Sequence, residues 1–426
     1  MRRNLVVVAA LVAAAFVVAA CGSTGSSSSS GGGSDGGNTK NVQTAKGGKF
    51  AKPIVIAAAM GVTGLQAPFD NPPWNGVKFA IDDINKAGGI NGQKLTTMTE
   101  DTKSTVPGAR KATLGLLGRG AQITFQTCNY DFGVSGGTAA SNAGIIAWSL
   151  CAASPKWGVQ GIGQTAYTSG VVTYAEGNVD AKFGSEKLGK KAFALCDTWI
   201  DYGIQTCQGF KDAAKSYGID LVGTANVNTN KNPNISAQLT KIRSSGADFI
   251  YWAAAPPGAI SSLKQIRGAG IKLPVVMPTA SYGLFWKAAL PHLNNVYMHG
   301  PAQVYGNKPG ETNGGGDPRP EVNALVKRYI DQFGKNPDHG NFLEGYASMQ
   351  ILAQAMKATG TTDGRKLSAW IDKHGQFDTV LGPKVFTPQL HSDPKREFVF
   401  VKYVNTWPEY AGTMSPSTPV DLHLGS

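Results

Sequence analysis

Two periodicities alternate along the chain. Ile54–Met60 is an unbroken apolar run of strand length. Within residues 75–87, Val77, Ala80, Ile81 and Ile84 fall at i, i+3, i+4 and i+7, the stripe of an amphipathic helix. Gly88-Gly89 ends it. The pattern then predicts a strand over 95–100, a helix over 109–117, a strand over 121–127, a short helix over 135–142 and a strand over 145–150. A second series follows: strands over 191–196, 219–224, 249–254 and 273–277, with helices over 204–216, 235–244 and 259–268 between them. Such units imply parallel sheets covered by helices on both faces. Two series imply an α/β fold of two doubly wound lobes. Further on, Pro320–Phe333 and 342–359 read as long helices, and 379–386 and Phe398–Val404 as β segments. Residues 307–318 form a Gly/Pro/Asn-rich crossover or lid. Beyond Trp407 the periodicity fades, and a surface tail is expected.

Length agrees with two lobes. The chain has 426 residues, beyond the roughly 250–300 that one packed core sustains. Its 42% hydrophobic content excludes wholesale disorder. The N-terminus differs from the rest. Arg2 and Arg3 precede a stretch of 16 residues, 5–20, of Val, Ala, Leu and Phe, which suits a secretory signal better than a membrane span. It ends in Val18-Ala19-Ala20-Cys21-Gly22, which resembles the lipobox of bacterial lipoproteins. Residues 1–20 are therefore expected to be removed and Cys21 to carry lipid, with 21–50 as a tether rich in Ser and Gly. An ordinary signal peptide with a chance cysteine is the competing reading. Cleavage removes two arginines, so the formal charge becomes 12 − 2 = +10. That charge favours an anionic membrane surface. It contains no cluster of five or more Lys/Arg, so nucleic acid is not an expected partner.

Export places Cys128, Cys151, Cys196 and Cys207 in an oxidising compartment. No C-x-x-C occurs, and the six histidines show no i, i+4 pair, so no metal site is expected. Surface or hinge positions are expected for the histidines. Cys128 and Cys151 end successive predicted strands, within disulfide reach of one another. The preferred pairing is Cys128–Cys151 with Cys196–Cys207, one of three connectivities that four cysteines allow.

Residues 76–92 read Gly-Val-Lys-Phe-Ala-Ile-Asp-Asp-Ile-Asn-Lys-Ala-Gly-Gly-Ile-Asn-Gly. This run resembles a signature of the periplasmic type I solute-binding proteins of the leucine/isoleucine/valine class. Ala152-Ala153-Ser154-Pro155-Lys156-Trp157, Asp201-Tyr202-Gly203 and Gly345-Tyr346-Ala347 extend the similarity over about residues 50 to 405. The resemblance implies a clamshell whose hinge the chain crosses three times, with 51–175 and 308–391 in lobe 1 and 176–307 and 392–426 in lobe 2. It also implies an extracytoplasmic, monomeric receptor that delivers a small solute to an ABC permease and its ATPase, without a cofactor.

Ligands of open α/β sheets bind beyond the carboxyl ends of the strands. The loops there carry Phe69, Trp74, Tyr130, Phe132, Trp157, Trp199, Tyr202 and Tyr282, of which about half are expected simply to pack the loops down. A helix start near Ser135 would favour an anion or carbonyl oxygen, with Ser154 adding a hydroxyl. The resemblance maps the carboxylate contacts to Asn129 or Tyr130 and to Ala152 and Ser154, and an aromatic contact to Tyr202. Two readers of an amino-acid ligand do not carry over. Ala255 replaces a tyrosine, and Ala280 or Ser281 replaces the acid that pairs with the ammonium. Burying an ammonium without a carboxylate is costly. The solute is therefore expected to be an organic acid, amide or aromatic compound, with Asp201 and Glu344 as substitute charges should it be an amino acid.

Enzyme readings are weaker. Gly133-Val134-Ser135-Gly136-Gly137 fits the G-x-S-x-G elbow of a secreted hydrolase, but five residues separate it from the predicted strand end. Residues 184–190 nearly fit a phosphate loop but lack the Ser/Thr that follows it. A ligand-sensing clamshell is the remaining alternative to transport.

Overall fold

The computed structural model describes residues 39–424, apart from 231–232, 307, 309 and 312–313. The signal peptide, Cys21 and the Ser/Gly segment at 22–37 lie outside the described residues.

In chain order the first series comprises β1 (Ile54–Met60), α1 (Ala67–Lys86), β2 (Leu95–Asp101), α2 (Val106–Gly118), β3 (Ile123–Gln126), α3 (Tyr130–Asn142), β4 (Ile146–Ser149) and β5 (Ala166–Thr168). Its strands form one parallel sheet in the order β2-β1-β3-β4-β5. The second series comprises α4 (Thr173–Lys187), β6 (Lys191–Asp197), α5 (Asp201–Ala214), β7 (Asp220–Val227), α6 (Ser236–Ser244), β8 (Phe249–Ala253), α7 (Gly258–Gly268), β9 (Val275–Met277) and β10 (Val296–Gly300). Then come α8 (Pro320–Phe333), α9 (Asn341–Thr359), α10 (Gly364–His374), the hairpin β11 (Gln376–Thr379) and β12 (Gly382–Val385), and finally β13 (Phe398–Val404) and β14 (Trp407–Met414). The second sheet runs β14-β13-β10-β9-β8-β6-β7, parallel except for its last two strands, β13 and β14.

Strand order locates the site. β1 lies between β2 and β3, and β6 between β7 and β8, so each sheet reverses direction of growth there. The loops leaving β1 and β3 diverge to opposite faces, as do those leaving β6 and β8, and each pair opens a crevice. The inner strands β3, β4 and β8 have no exposed residue, whereas the edge strands β2 and β7 are partly exposed.

Several boundaries differ from the expectation. α1 begins at Ala67, ahead of Pro72-Pro73, where 75 was expected. Pro68 needs no N–H in the first turn, and Asp70 anchors the turn by accepting from Gly61 N and Cys128 N, both at 2.7 Å. α3 begins at Tyr130, not near Ser135, because Asn129 caps it by accepting from Phe132 N at 3.2 Å. Its glycines are a packing device: a Cβ on Gly136 would sit 2.6 Å from Gln126 Oε1, and one on Gly133 2.9 Å from the Trp157 ring. The expected tail after Trp407 is instead β14, an antiparallel edge strand whose alternation Pro408, Gly412 and a bulge opposite Phe400/Val401 obscure. His299 is buried in β10, neither at the surface nor in a connection, whereas His339 and His391 are buried in segments that connect the sheets.

Three segments connect the sheets: 169–172, 301–340 and 386–397. Glu344, at the head of α9, ties them together. It pairs with Lys384 at 3.2 Å and with Arg396, and both cations also donate to Ser169 O at 3.0 Å. The Ser348 hydroxyl reaches Ser169 Oγ at 2.9 Å.

Candidate functional site

A cavity opens where the two crevices face each other. Lobe 1 contributes Gln66 and Phe69 after β1, and Cys128, Asn129 and Phe132 after β3. Lobe 2 contributes Trp199, Ile200 and Tyr202 after β6, Ala255 and Pro256 after β8, and Thr279 and Ala280 after β9. Gly170 and Val171 of the first connection, Glu176, and Asn341 and Glu344 of α9 complete the wall. The centre of a water-sized sphere can sweep about 60 Å³ inside it, room for a compact solute. The Cys128–Cys151 disulfide joins the ends of β3 and β4 at this wall, and Cys196–Cys207 fastens α5 to β6.

The wall is mostly apolar, with two acids in it. Glu344 is already matched by Lys384 and Arg396. Burial, with Arg396 next to it, pushes the Lys384 ammonium down to about 8. Glu344 is thus no free acceptor for an ammonium. Glu176, which the sequence did not single out, is fully buried. Its Oε2 accepts from the Tyr202 hydroxyl at 2.7 Å and from Thr279 N at 2.9 Å, while its Oε1 has no hydrogen-bond partner. Burial pushes its carboxyl up to about 7, against the opposing pull of His299. Behind it, His299 Nε2 lies 3.3 Å from Asp180 Oδ1 and 3.9 Å from Glu176 Oε2. Glu176 falls in a helix whose faces are nearly all buried although its sequence also carries Asn178, Asp180 and Lys182, so no stripe marked it out.

Of the residues named from sequence, Phe69, Asn129, Phe132, Trp199, Tyr202, Ala255, Ala280 and Glu344 meet at this cavity. Others lie elsewhere. Trp74 is packed in the lobe 1 core with Nε1 donating to Thr99 Oγ1 at 3.0 Å. Trp157 is buried with Nε1 donating to Ala147 O at 3.1 Å. Tyr282 is buried and donates to Gln303 Oε1 at 2.5 Å, and Ser281 to Ala254 O at 3.1 Å. Ala152 is buried beside the lining Ala153, and its amide donates to Ser149 Oγ. Tyr130 lies over Gly161 at the outer side of α3. Ser135 is in the second turn of α3 and donates to Val106 O at 2.6 Å, so the sharp strand-to-helix turn of a nucleophile elbow is not present there.

Polar groups also cross the cleft beside the cavity. Lys156 of lobe 1 pairs with Asp201 of α5 at 3.3 Å, Asp201 N donates to Asp131 Oδ2 at 3.3 Å, and Gln205 Nε2 donates to Ser154 Oγ at 3.3 Å. Among the described residues no group of three or more His, Cys, Asp or Glu is placed to hold a metal, and no helix is long and apolar enough to cross a membrane.

The family model described as periplasmic binding protein matches residues 53–406. A Leu/Ile/Val-binding protein homolog of Brucella suis is 26% identical over 357 residues, covering 82% of this chain and 90% of the relative. An amino acid binding protein of Pseudomonas aeruginosa is 27% identical over 341 residues, covering 78% and 85%. Two solved structures share the fold. The branched-chain amino acid substrate-binding protein LivJ of Streptococcus pneumoniae, in complex with isoleucine, superposes with a TM-score of 0.73 at 20% identity, covering 86% of this chain and all of the other. A solute-binding protein of R. palustris in complex with benzoate gives 0.68 at 17% identity, covering 85% and 97%.

Proposed function

The chain belongs to the periplasmic binding protein family, and on that premise we propose that it is the extracytoplasmic solute receptor of an ABC importer, anchored to the membrane through lipid on Cys21. The observation that carries this is the placement of the cavity: its wall is shared by the strand-end loops of both lobes, at the two points where sheet order reverses. A solute there touches both lobes only when they are closed, so binding shifts the population toward the closed form. That form presents matched lobe surfaces to a permease and its ATPase, and the solute leaves unreacted.

The lining favours a compact aromatic or apolar solute over a branched-chain amino acid. Phe69, Phe132, Trp199 and Tyr202 supply aromatic surface. Alanines stand at 255 and 280, where the relatives' class places readers of the amino-acid head group. Asn129, Ala152 and Ser154 remain the proposed polar contacts from lobe 1.

Native mass spectrometry of untagged protein, followed by titration calorimetry of unfolded, washed and refolded protein against a metabolite panel, tests the reading. A co-purified small molecule, or a panel member that binds and lowers the radius of gyration, is expected. Binding by none, or chemical turnover of a bound compound, would overturn it.

A further inference from the structure

Glu176 is anchored on one side only. The Tyr202 hydroxyl and Thr279 N both donate to Oε2, which fixes the carboxyl group against α5 and the loop after β9. Oε1 is buried and has no partner. Leaving a buried acceptor unpaired is costly, and more so when it is charged. Yet the residue forms part of the wall of the cavity, so a solute packed against it is the one partner that can come to supply the missing donor. Among the described residues no Lys or Arg side chain lines that wall, and the other acid in it, Glu344, is matched by Lys384 and Arg396. The unmet demand at this wall is for a donor.

We propose that Glu176 is the specificity-determining residue of the cleft: its Oε1 accepts a hydrogen bond from an N–H of the solute, which is therefore an amide or amine on a compact apolar or aromatic body, and a carboxylate of the same shape is rejected. This rests on the solute-receptor reading and narrows it. It also moves the acidic reader from the loop after β9, where Ala280 or Ser281 stands, to the first turn of α4, just after the first connection between the lobes. Tyr202 and Thr279 are positioning residues, holding the acceptor where the solute meets it. Above about pH 7, where Glu176 is ionised, rejection of a carboxylate follows from placing two negative groups together away from water.

The test is titration calorimetry at pH 8 with benzamide, its isostere benzoate, and benzylamine, and with their isovaleryl counterparts, on the wild type and on Glu176→Gln. In the wild type the amide or amine should bind at least tenfold tighter than the carboxylate. In Glu176→Gln the amide oxygen can take the Tyr202 and Thr279 donors and turn its NH2 toward the solute. The order should then invert, with the amine weakened tenfold or more and the carboxylate strengthened. A wild type that prefers the carboxylate, or an unchanged order in Glu176→Gln, overturns the proposal while leaving the receptor intact. If no probe binds, the solute found by native mass spectrometry decides: one without an N–H group overturns the proposal, and one bearing it supports it. No probe bound and no solute found removes the receptor reading itself. Should Glu176→Gln fail to fold, the wild-type ranking alone is decisive.

Discussion

Gly76 of α1 and Gly345 of α9 form a reciprocal contact between the two helices. A Cβ on Gly76 would lie 1.8 Å from Phe342 O, and one on Gly345 would lie 1.8 Å from Pro73 O. Each helix thus rests its backbone on the other's, which only glycine at both positions permits. Lobe 2 repeats the arrangement. A Cβ on Gly177 of α4 would lie 2.1 Å from Thr206 O, and one on Gly209 of α5 would lie 2.3 Å from Tyr174 O. Gly345→Ala must push two helices apart, and overpacking of this kind costs typically 1–3 kcal/mol or more. Urea denaturation should show a lower midpoint with an unchanged slope; a midpoint equal to the wild type would mean that the helices do not cross this closely.

The hinge gives a second prediction. Glu344 is 1% exposed and neutralises two buried cations. Removing one member of such a cluster strands the others, at about 3–5 kcal/mol. Glu344→Gln should therefore lower the unfolding midpoint substantially. Glu344→Gln with Lys384→Met should recover part of the loss, since only one buried cation, Arg396, is then left without its anion. No recovery in the double variant would argue against the charge account.

Across the cleft, Lys156 and Asp201 are partly exposed, at 49% and 24%. Their pair is worth at most about 1 kcal/mol. Lys156→Ala should leave thermal stability nearly unchanged but favour the open lobes, giving a larger radius of gyration without solute and roughly two- to fivefold weaker binding. A Lys156→Ala variant that scatters and binds like the wild type would show that the pair does not act as a latch.

Ligand-free stability should depend on pH in an unusual direction. Burial raises Asp70 to about 6 and Glu176 to about 7, both above their unfolded values. The folded chain therefore binds these protons more tightly than the unfolded chain does. Stability from this source is fully present below about pH 4 and is lost as pH rises through 6 and 7. His339 works the other way: burial lowers it to about 4, so its contribution is lost as pH falls from 6.5 toward 4. Lys384, lowered by burial to about 8, also opposes the two acids between pH 8 and 7, so the Glu176 contribution is read by difference: acidification from pH 8 to 6.5 should stabilise the wild type more than Glu176→Gln. Urea midpoints of both at pH 6.5, 7.2 and 8.0 measure it; a difference of opposite sign, or none, would refute it.

Both lobes were legible because their strands are buried on two faces and their helices on one, which leaves runs and stripes in the sequence. β1, α8 and β13 were expected at the residues they occupy. α4 was not read as an element, since a helix buried nearly all round has no polar face to set its period. β14 was lost to Pro408 and Gly412. The preferred cysteine pairing, one of three possible and suggested for Cys128–Cys151 by the strand ends, is the one present.

The site divides in the same way. Phe69, Asn129, Tyr202 and Ala255 were found because they follow predicted strands, and strand ends are where a doubly wound sheet opens. Trp74, Trp157 and Tyr282 obey the same rule of position but turn into the cores, and no one-dimensional pattern records which way a loop side chain points. Glu176 is the sharper case. Its chemistry is visible as a letter, but its importance comes from Tyr202, 26 residues later, and Thr279, 103 residues later, claiming one oxygen and leaving the other. Local burial periodicity determined the architecture by itself; which buried group goes unsatisfied was decided only when distant segments met, because a hydrogen bond depends on distance in space and not along the chain.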